Sequence, residues 1–177
     1  MAKDLYFNSA KFKNAVSALS KEAGFPAKFA LTQLKGGRNN RIFLINYEDG
    51  SKALLKAYFQ HQNDKRARIK TEYSFLNFAW NNNVRCVPKP ISADFTNNLG
   101  LYEFIEGRKL SYNEIDKEKI NQALNFIIEI NKYKDTNEAQ KLPDASDACF
   151  SMQEHTDHAA RRIERLKKIE ASEINGK

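Results

Sequence analysis

Apolar positions change period several times along the chain, and each change marks an element. Phe12, Val16 and Leu19 recur at helical spacing behind Ser9, whose hydroxyl can cap a helix, and Gly24 ends that run. Phe29, Leu31 and Leu34 lie in a short segment that stops at Gly36-Gly37. Ile42 to Tyr47 and Ala53 to Phe59 are rich in β-formers and flank Glu48-Asp49-Gly50-Ser51. Asp-Gly between two apolar runs predicts a hairpin, because glycine tolerates the positive φ of such turns. The helical period returns from about Asp64 to Asn81, with Ile69, Tyr73, Leu76 and Trp80 on its buried face, and Asn81-Asn82-Asn83 breaks it. Val87-Pro88-Lys89-Pro90 reads as extended, since each proline fixes its own φ and biases its predecessor away from helix. Ile91 to Phe95 and Leu99 to Ile105 predict two more strands, joined by a turn at Thr96-Asn97-Asn98.

Beyond Gly107 the pattern becomes helical. Ser111 with Glu114 forms a capping box ahead of Ile120, Leu124 and Ile127, and Ser151 with Glu154 forms another ahead of Ala159, Ile163, Leu166 and Ile169. Lys141 to Ala148 connects the two. Helix, three strands, helix, two strands, then helices is an α+β order. It predicts a mixed lobe over residues 1–107 and a helical one over 108–177.

The 177 residues, 41% of them hydrophobic, suffice for one good core, and 29% charged residues of mixed sign exclude a disordered chain. No apolar run approaches the roughly 18 residues that cross a bilayer. Met1 to Asn14 lacks the apolar stretch of a secretory signal, and Cys86 and Cys149 make no CxxC. The expectation is a cytoplasmic protein with reduced thiols and no membrane partner. A formal charge of +7 directs attention to anionic partners, but outside Lys65–Lys70 and Arg161–Lys168 it is spread along the chain, and those two clusters read as solvated helix faces.

Three features could carry chemistry. In Leu34-Lys35-Gly36-Gly37-Arg38-Asn39-Asn40-Arg41 two glycines let backbone pass close to a ligand. Strands on both flanks exclude a Walker or Rossmann loop, which needs a helix after the glycines. The segment is either a hairpin folded over phosphates or an ordinary glycine turn. Lys56, inside Ala53-Leu54-Leu55-Lys56-Ala57, either points its ammonium into a nucleotide cleft or faces water from an edge. Glu72 lies three residues after Ile69 and four before Leu76, on or beside the buried helix face. A carboxylate there needs a partner, and Lys56 is the obvious one.

The order of these features, with GGRNN and Phe43, the ALLK strand, Glu72 before Leu76, Val87-Pro88-Lys89-Pro90 and LYEFIEG, resembles the aminoglycoside phosphotransferase family, whose protein-kinase-like fold is shared with choline kinases. The likeness covers about Leu31 to Leu110. It implies a kinase-like N-lobe, a five-stranded antiparallel sheet with one main helix, followed by the first helices of a truncated helical lobe. It implies ATP-dependent phosphoryl transfer to a hydroxyl of a small molecule. Gly36, Gly37 and Asn40 would cover the phosphates, Lys56 would contact phosphate oxygens and Glu72 would hold Lys56. Tyr102, Glu103, Phe104 and Ile105 would form a hinge whose main chain meets the adenine edge.

Members of that family carry a later loop with an aspartate that orients the substrate hydroxyl and an asparagine that holds Mg²⁺, and a second metal-binding aspartate follows. This chain contains no such loop. Asp157 of His155-Thr156-Asp157 is followed five residues on by Arg162 and sits within a capped helical run, while His155 and His158 read as solvated. The expectation is therefore ATP as ligand, Mg²⁺ only with the missing lobe, no catalytic or metal-binding residue here, and no activity of this chain alone. Self-association through the apolar face left by that lobe is expected. Two other readings stand beside it. One is a pseudoenzyme or regulatory module that binds nucleotide. The other, disfavoured because most aromatics fall at core spacing, is a basic nucleic-acid-binding domain using Tyr58, Phe59 and Tyr73.

Overall fold

The computed structural model describes residues 7, 9–34, 40–60, 66–144 and 148–167. Helix α1 spans Ala10–Glu22. Strands β1 (Phe29–Leu34), β2 (Arg41–Tyr47) and β3 (Lys52–Ala57) follow, then helix α2 (Arg68–Asn81) and strands β4 (Pro90–Asp94) and β5 (Leu99–Glu103). A short 3-10 turn (Tyr112–Glu114), helix α3 (Lys117–Asn131) and helix α4 (Met152–Lys167) complete the described elements that matter here. The fold is α+β, built on a five-stranded antiparallel sheet in the order β1-β2-β3-β5-β4. The chain forms two compact units, Met1–Pro143 and Asp144–Lys177, and the whole sheet belongs to the first.

Local chemistry explains where elements begin and turn. The Ser9 hydroxyl accepts the Phe12 N–H at 3.2 Å and opens α1. The β2–β3 hairpin turns on Gly50 at φ +82°, and Asp49 accepts the Ser51 N–H at 2.9 Å. Between β4 and β5 the Asp94 carboxylate takes the Asn97 N–H at 2.9 Å, and Asn98 adopts φ +55°.

Successive strand residues face opposite sides of a sheet, and here both sides are covered. Phe43, Ile45, Tyr47, Ala53, Leu55, Ala57, Leu99 and Leu101 are buried with Phe12, Val16 and Leu19 of α1. Ser20 and Tyr47 tie α1 to β2 by a buried hydroxyl pair at 2.8 Å. Tyr58, Tyr102, Ile69 and Leu76 form a second cluster, in which α2 covers the other side.

Several boundaries differ from the sequence expectation. β3 ends at Ala57 and β5 at Glu103, although the Tyr58 N–H still reaches Asn98 C=O at 2.9 Å. β4 ends at Asp94, whose side chain is already committed to the turn. α2 begins at Arg68, with Ala67 ahead of it making no side-chain cap, and Asp64 lies outside the described residues. Its buried face includes Phe78 and Ala79, while Trp80 stays half-buried and donates its indole N–H to Val87 C=O at 3.1 Å. The Ser111–Glu114 box closes only the 3-10 turn; α3 starts later, with Asp116 accepting the Lys119 N–H at 2.9 Å. Arg108, and then Ser111, hold the Glu114 carboxyl down at about 2. At α4 the expected cap is present, the Ser151 hydroxyl accepting the Glu154 N–H at 3.1 Å. Ile169, placed on that helix's apolar stripe by spacing, lies outside the described residues.

Ile120, Leu124, Ile127 and Ile128 form an exposed apolar stripe on α3. No helix among the described residues is long and apolar enough to cross a membrane. Cys86 and Cys149 form no disulfide.

Burial separates the two kinds of apolar residue, and mutation should report it. Leu55→Ala, at 0% exposure in the central strand, is expected to lower unfolding free energy by about 3 kcal/mol. Leu124→Ala, at 52% exposure on α3, is expected to change it by less than about 0.5 kcal/mol. Urea unfolding followed by circular dichroism measures both, and equal losses would contradict the assignment of the core.

Candidate functional site

Odd-numbered β3 residues belong to the α1 core, so Leu54 and Lys56 project toward α2. Lys56 stands opposite Ile42 on β2 and Gly100 on β5. Glu72 lies in the second turn of α2, close enough for both its oxygens to accept from the same ammonium: Nζ to Oε1 is 2.7 Å and Nζ to Oε2 is 2.5 Å. The Lys56 side chain is 18% exposed and that of Glu72 is 38%, so the pair is neither sealed in core nor fully in water. Strand alternation and helix period together had predicted this meeting, and the structure brings the two residues together.

The other predicted residues are placed as follows. Gly36 and Gly37 lie outside the described residues. Asn40, at the exit of their segment, accepts the Phe59 N–H on its Oδ1 at 3.1 Å, which anchors the start of β2 beside the end of β3. Tyr102 is the last buried residue of β5, at 1% exposure. The Glu103 N–H donates to Lys89 C=O at 2.9 Å, and its carboxylate accepts the Lys89 N–H at 3.1 Å. Phe104 is half-buried with the Lys52 ammonium 5.9 Å from its ring centre, and Ile105 is exposed.

Sequence reasoning valued Tyr102 only for its main chain, and the structure adds a part for its side chain. The Tyr102 hydroxyl meets the Tyr58 hydroxyl at 2.6 Å. The Tyr58 ring in turn lies beneath Lys56, with Nζ 4.9 Å from its centre. Gly100 makes this possible. A Cβ at that position would come within 2.5 Å of the Tyr102 hydroxyl, so only glycine leaves the ring its path across the strand. The available signals were the spacings Lys56-x-Tyr58 and Gly100-x-Tyr102, each pair of residues projecting to one side. Tyr58 is 6% exposed, so its ring offers no face for a base to stack on.

Burial pushes the Tyr58 hydroxyl far above its ordinary range, with Tyr102 and Glu72 adding to the shift. Burial likewise raises Tyr102, against a smaller lowering by its bond to Tyr58. Both therefore stay neutral hydrogen-bonding groups. Among the described residues no group of three or more His, Cys, Asp or Glu side chains is placed to hold a metal ion. His155 and Asp157 lie inside α4, the latter accepting from Gln153 at 2.9 Å.

The tyrosine shifts fix a pH dependence. The folded protein favours the neutral phenols, so their contribution to stability is complete below the ordinary value of 10.0 and declines as pH rises above it. Ultraviolet difference titration is expected to show Tyr58 and Tyr102 ionising only together with loss of the fold. Ionisation of all seven tyrosines near pH 10 in the folded protein would contradict their burial.

No protein-family model matches the chain, and no curated protein matches it either. Among solved structures it is similar to a choline kinase from Cryptosporidium parvum Iowa II, with a TM-score of 0.49 and 14% identity over 90% of this chain. The chain spans 46% of that choline kinase, less than half its length.

Proposed function

We propose that the first unit is the phosphate-contacting part of a kinase-type phosphotransferase, one that moves the terminal phosphoryl group of ATP to a hydroxyl of a small molecule. The observation that carries this reading is the two-pronged Lys56–Glu72 pair. An ammonium on a central strand, held by both oxygens of a helix carboxylate, has a defined place, which a solvated lysine lacks. Glu72 uses two of its three N–H donors and leaves one for a phosphate oxygen. Phosphoryl transfer depends on such positioning and on charge neutralisation more than on covalent chemistry by the protein.

The remaining parts follow the same reading. Asn40 anchors the exit of the segment carrying Gly36 and Gly37, whose main-chain N–H groups would cover the phosphates. The Glu103 N–H is already taken by Lys89, so an adenine along Tyr102–Ile105 would rely on main chain beyond Glu103. Transfer also needs a group that orients the acceptor hydroxyl, and the carboxylate beside Lys56 is engaged by Lys56 itself. The chain tested alone should bind nucleotide without turning it over.

Titration of the protein with ADP and with adenosine, followed by ¹H–¹⁵N NMR, tests the reading. ADP is expected to bind with a dissociation constant near millimolar, about −4 kcal/mol, and more tightly than adenosine. Lys56→Met keeps the apolar stem and removes the ammonium. It should bring ADP down to the affinity of adenosine, a loss of about tenfold for one charged hydrogen bond. A Lys56→Met protein that binds ADP as the parent does would overturn the proposal.

A further inference from the structure

We propose that Tyr58 is a positioning residue for the Lys56–Glu72 pair and that the Tyr102 hydroxyl fixes Tyr58 in that role. Its consequence for ligands rests on the nucleotide reading above, but its geometry does not. Tyr58 stands two residues beyond Lys56, so both side chains leave the backbone on the α2 side. The ammonium sits 4.9 Å above the ring centre, attracted by the face of the ring and blocked by it from folding inward.

The two buried hydroxyls at 2.6 Å share one hydrogen bond, which ties the Tyr58 ring, just beyond β3, to Tyr102 on β5. The Lys56 ammonium is thus placed from two directions, by both oxygens of the Glu72 carboxylate and by the face of a ring that is itself held. When a phosphate draws the ammonium toward it, the ring stays in place beneath it.

Gly100 gives independent support. It stands directly opposite Lys56 across the β3–β5 pairing, where a side chain would ordinarily pack against the lysine stem. The Tyr102 ring occupies that space instead. The glycine makes room for the ring, and the hydroxyl bond then ties that ring to Tyr58.

Tyr58→Phe and Tyr102→Phe keep both rings and remove one hydroxyl each, so the fold should survive; core methyl signals of Leu55 and Leu101 check this. The first readout needs no ligand. In protein labelled with ¹³C-lysine, the Lys56 CεH₂ signals are expected to be shifted by the Tyr58 ring. Both variants should move them toward the position of a free lysine, and Tyr58→Leu should remove the shift entirely. The second readout is the ratio of ADP to adenosine affinity, expected to fall about fivefold in Tyr58→Phe with adenosine affinity unchanged. The double variant should lose no more than Tyr58→Phe alone, since the hydroxyls act in series. Lys56 signals identical to the parent in both phenylalanine variants would overturn the proposal whatever ADP does. A parent protein that does not distinguish ADP from adenosine would instead sink the nucleotide reading, and the Lys56 signals alone would then decide the positioning role.

Discussion

The first unit depends on one constraint: its central strands are covered on both faces, yet one of them carries a lysine. Leu55 and Leu101 point into the α1 core, and both are fully buried. A charge on either neighbour must then point under α2 or find water. Lys56 does the first, and an ammonium at 18% exposure needs a counter-charge to stay there. α2 supplies Glu72 at the height where Lys56 emerges. Once that pair is made, the position of α2 over β3 and β5 is set by a contact of specified length as well as by apolar packing.

The pair is not what holds the protein together. Partly exposed ion pairs contribute roughly 0–1 kcal/mol, because both groups give up hydration and side-chain freedom to meet. A fully buried leucine contributes more, about 1.5–3 kcal/mol by area alone. Stability therefore resides in the apolar layers on either side of the sheet, and the Lys56–Glu72 pair uses that rigidity to fix an ammonium in space. The cation beneath α2 is expensive to place and adds little stability, which is the pattern of a residue kept for position. The stripe on α3 is the reverse case, apolar surface that the described residues leave exposed.

The elements were legible wherever short-range chemistry decides them. Ser9, Asp49-Gly50 and Asn98 act within a few residues, and the helix and strand periods report which side faces the core. The Lys56–Glu72 meeting followed from combining those two periods. Boundaries were read less well, because they depend on which acceptor is present at one position: Asp116, and not Ser111, caps α3. The Tyr58–Tyr102 bond was not legible. It joins residues 44 apart and exists because β5, not β4, lies beside β3. The spacings Lys56-x-Tyr58 and Gly100-x-Tyr102 show which side each pair faces, but not that the two strands are neighbours. The glycine that accommodates the bond looks like any other glycine until the strand opposite is known.

The charge balance around Lys56 limits what it does unaided. Lys56 and Glu72 cancel, and the two tyrosines remain neutral because burial disfavours their phenolates. The formal charge of +7 is spread along the chain and is not concentrated at this point. A diphosphate carries more negative charge than a single ammonium can balance, and that ammonium is already shared with a carboxylate. Main-chain N–H groups supply partial charges only. Tight binding of a nucleotide therefore requires further positive charge beside Lys56. The Tyr58 ring adds no formal charge to that balance: it places the Lys56 ammonium with its face, 4.9 Å away, and is itself tied to Tyr102 by the hydroxyl bond.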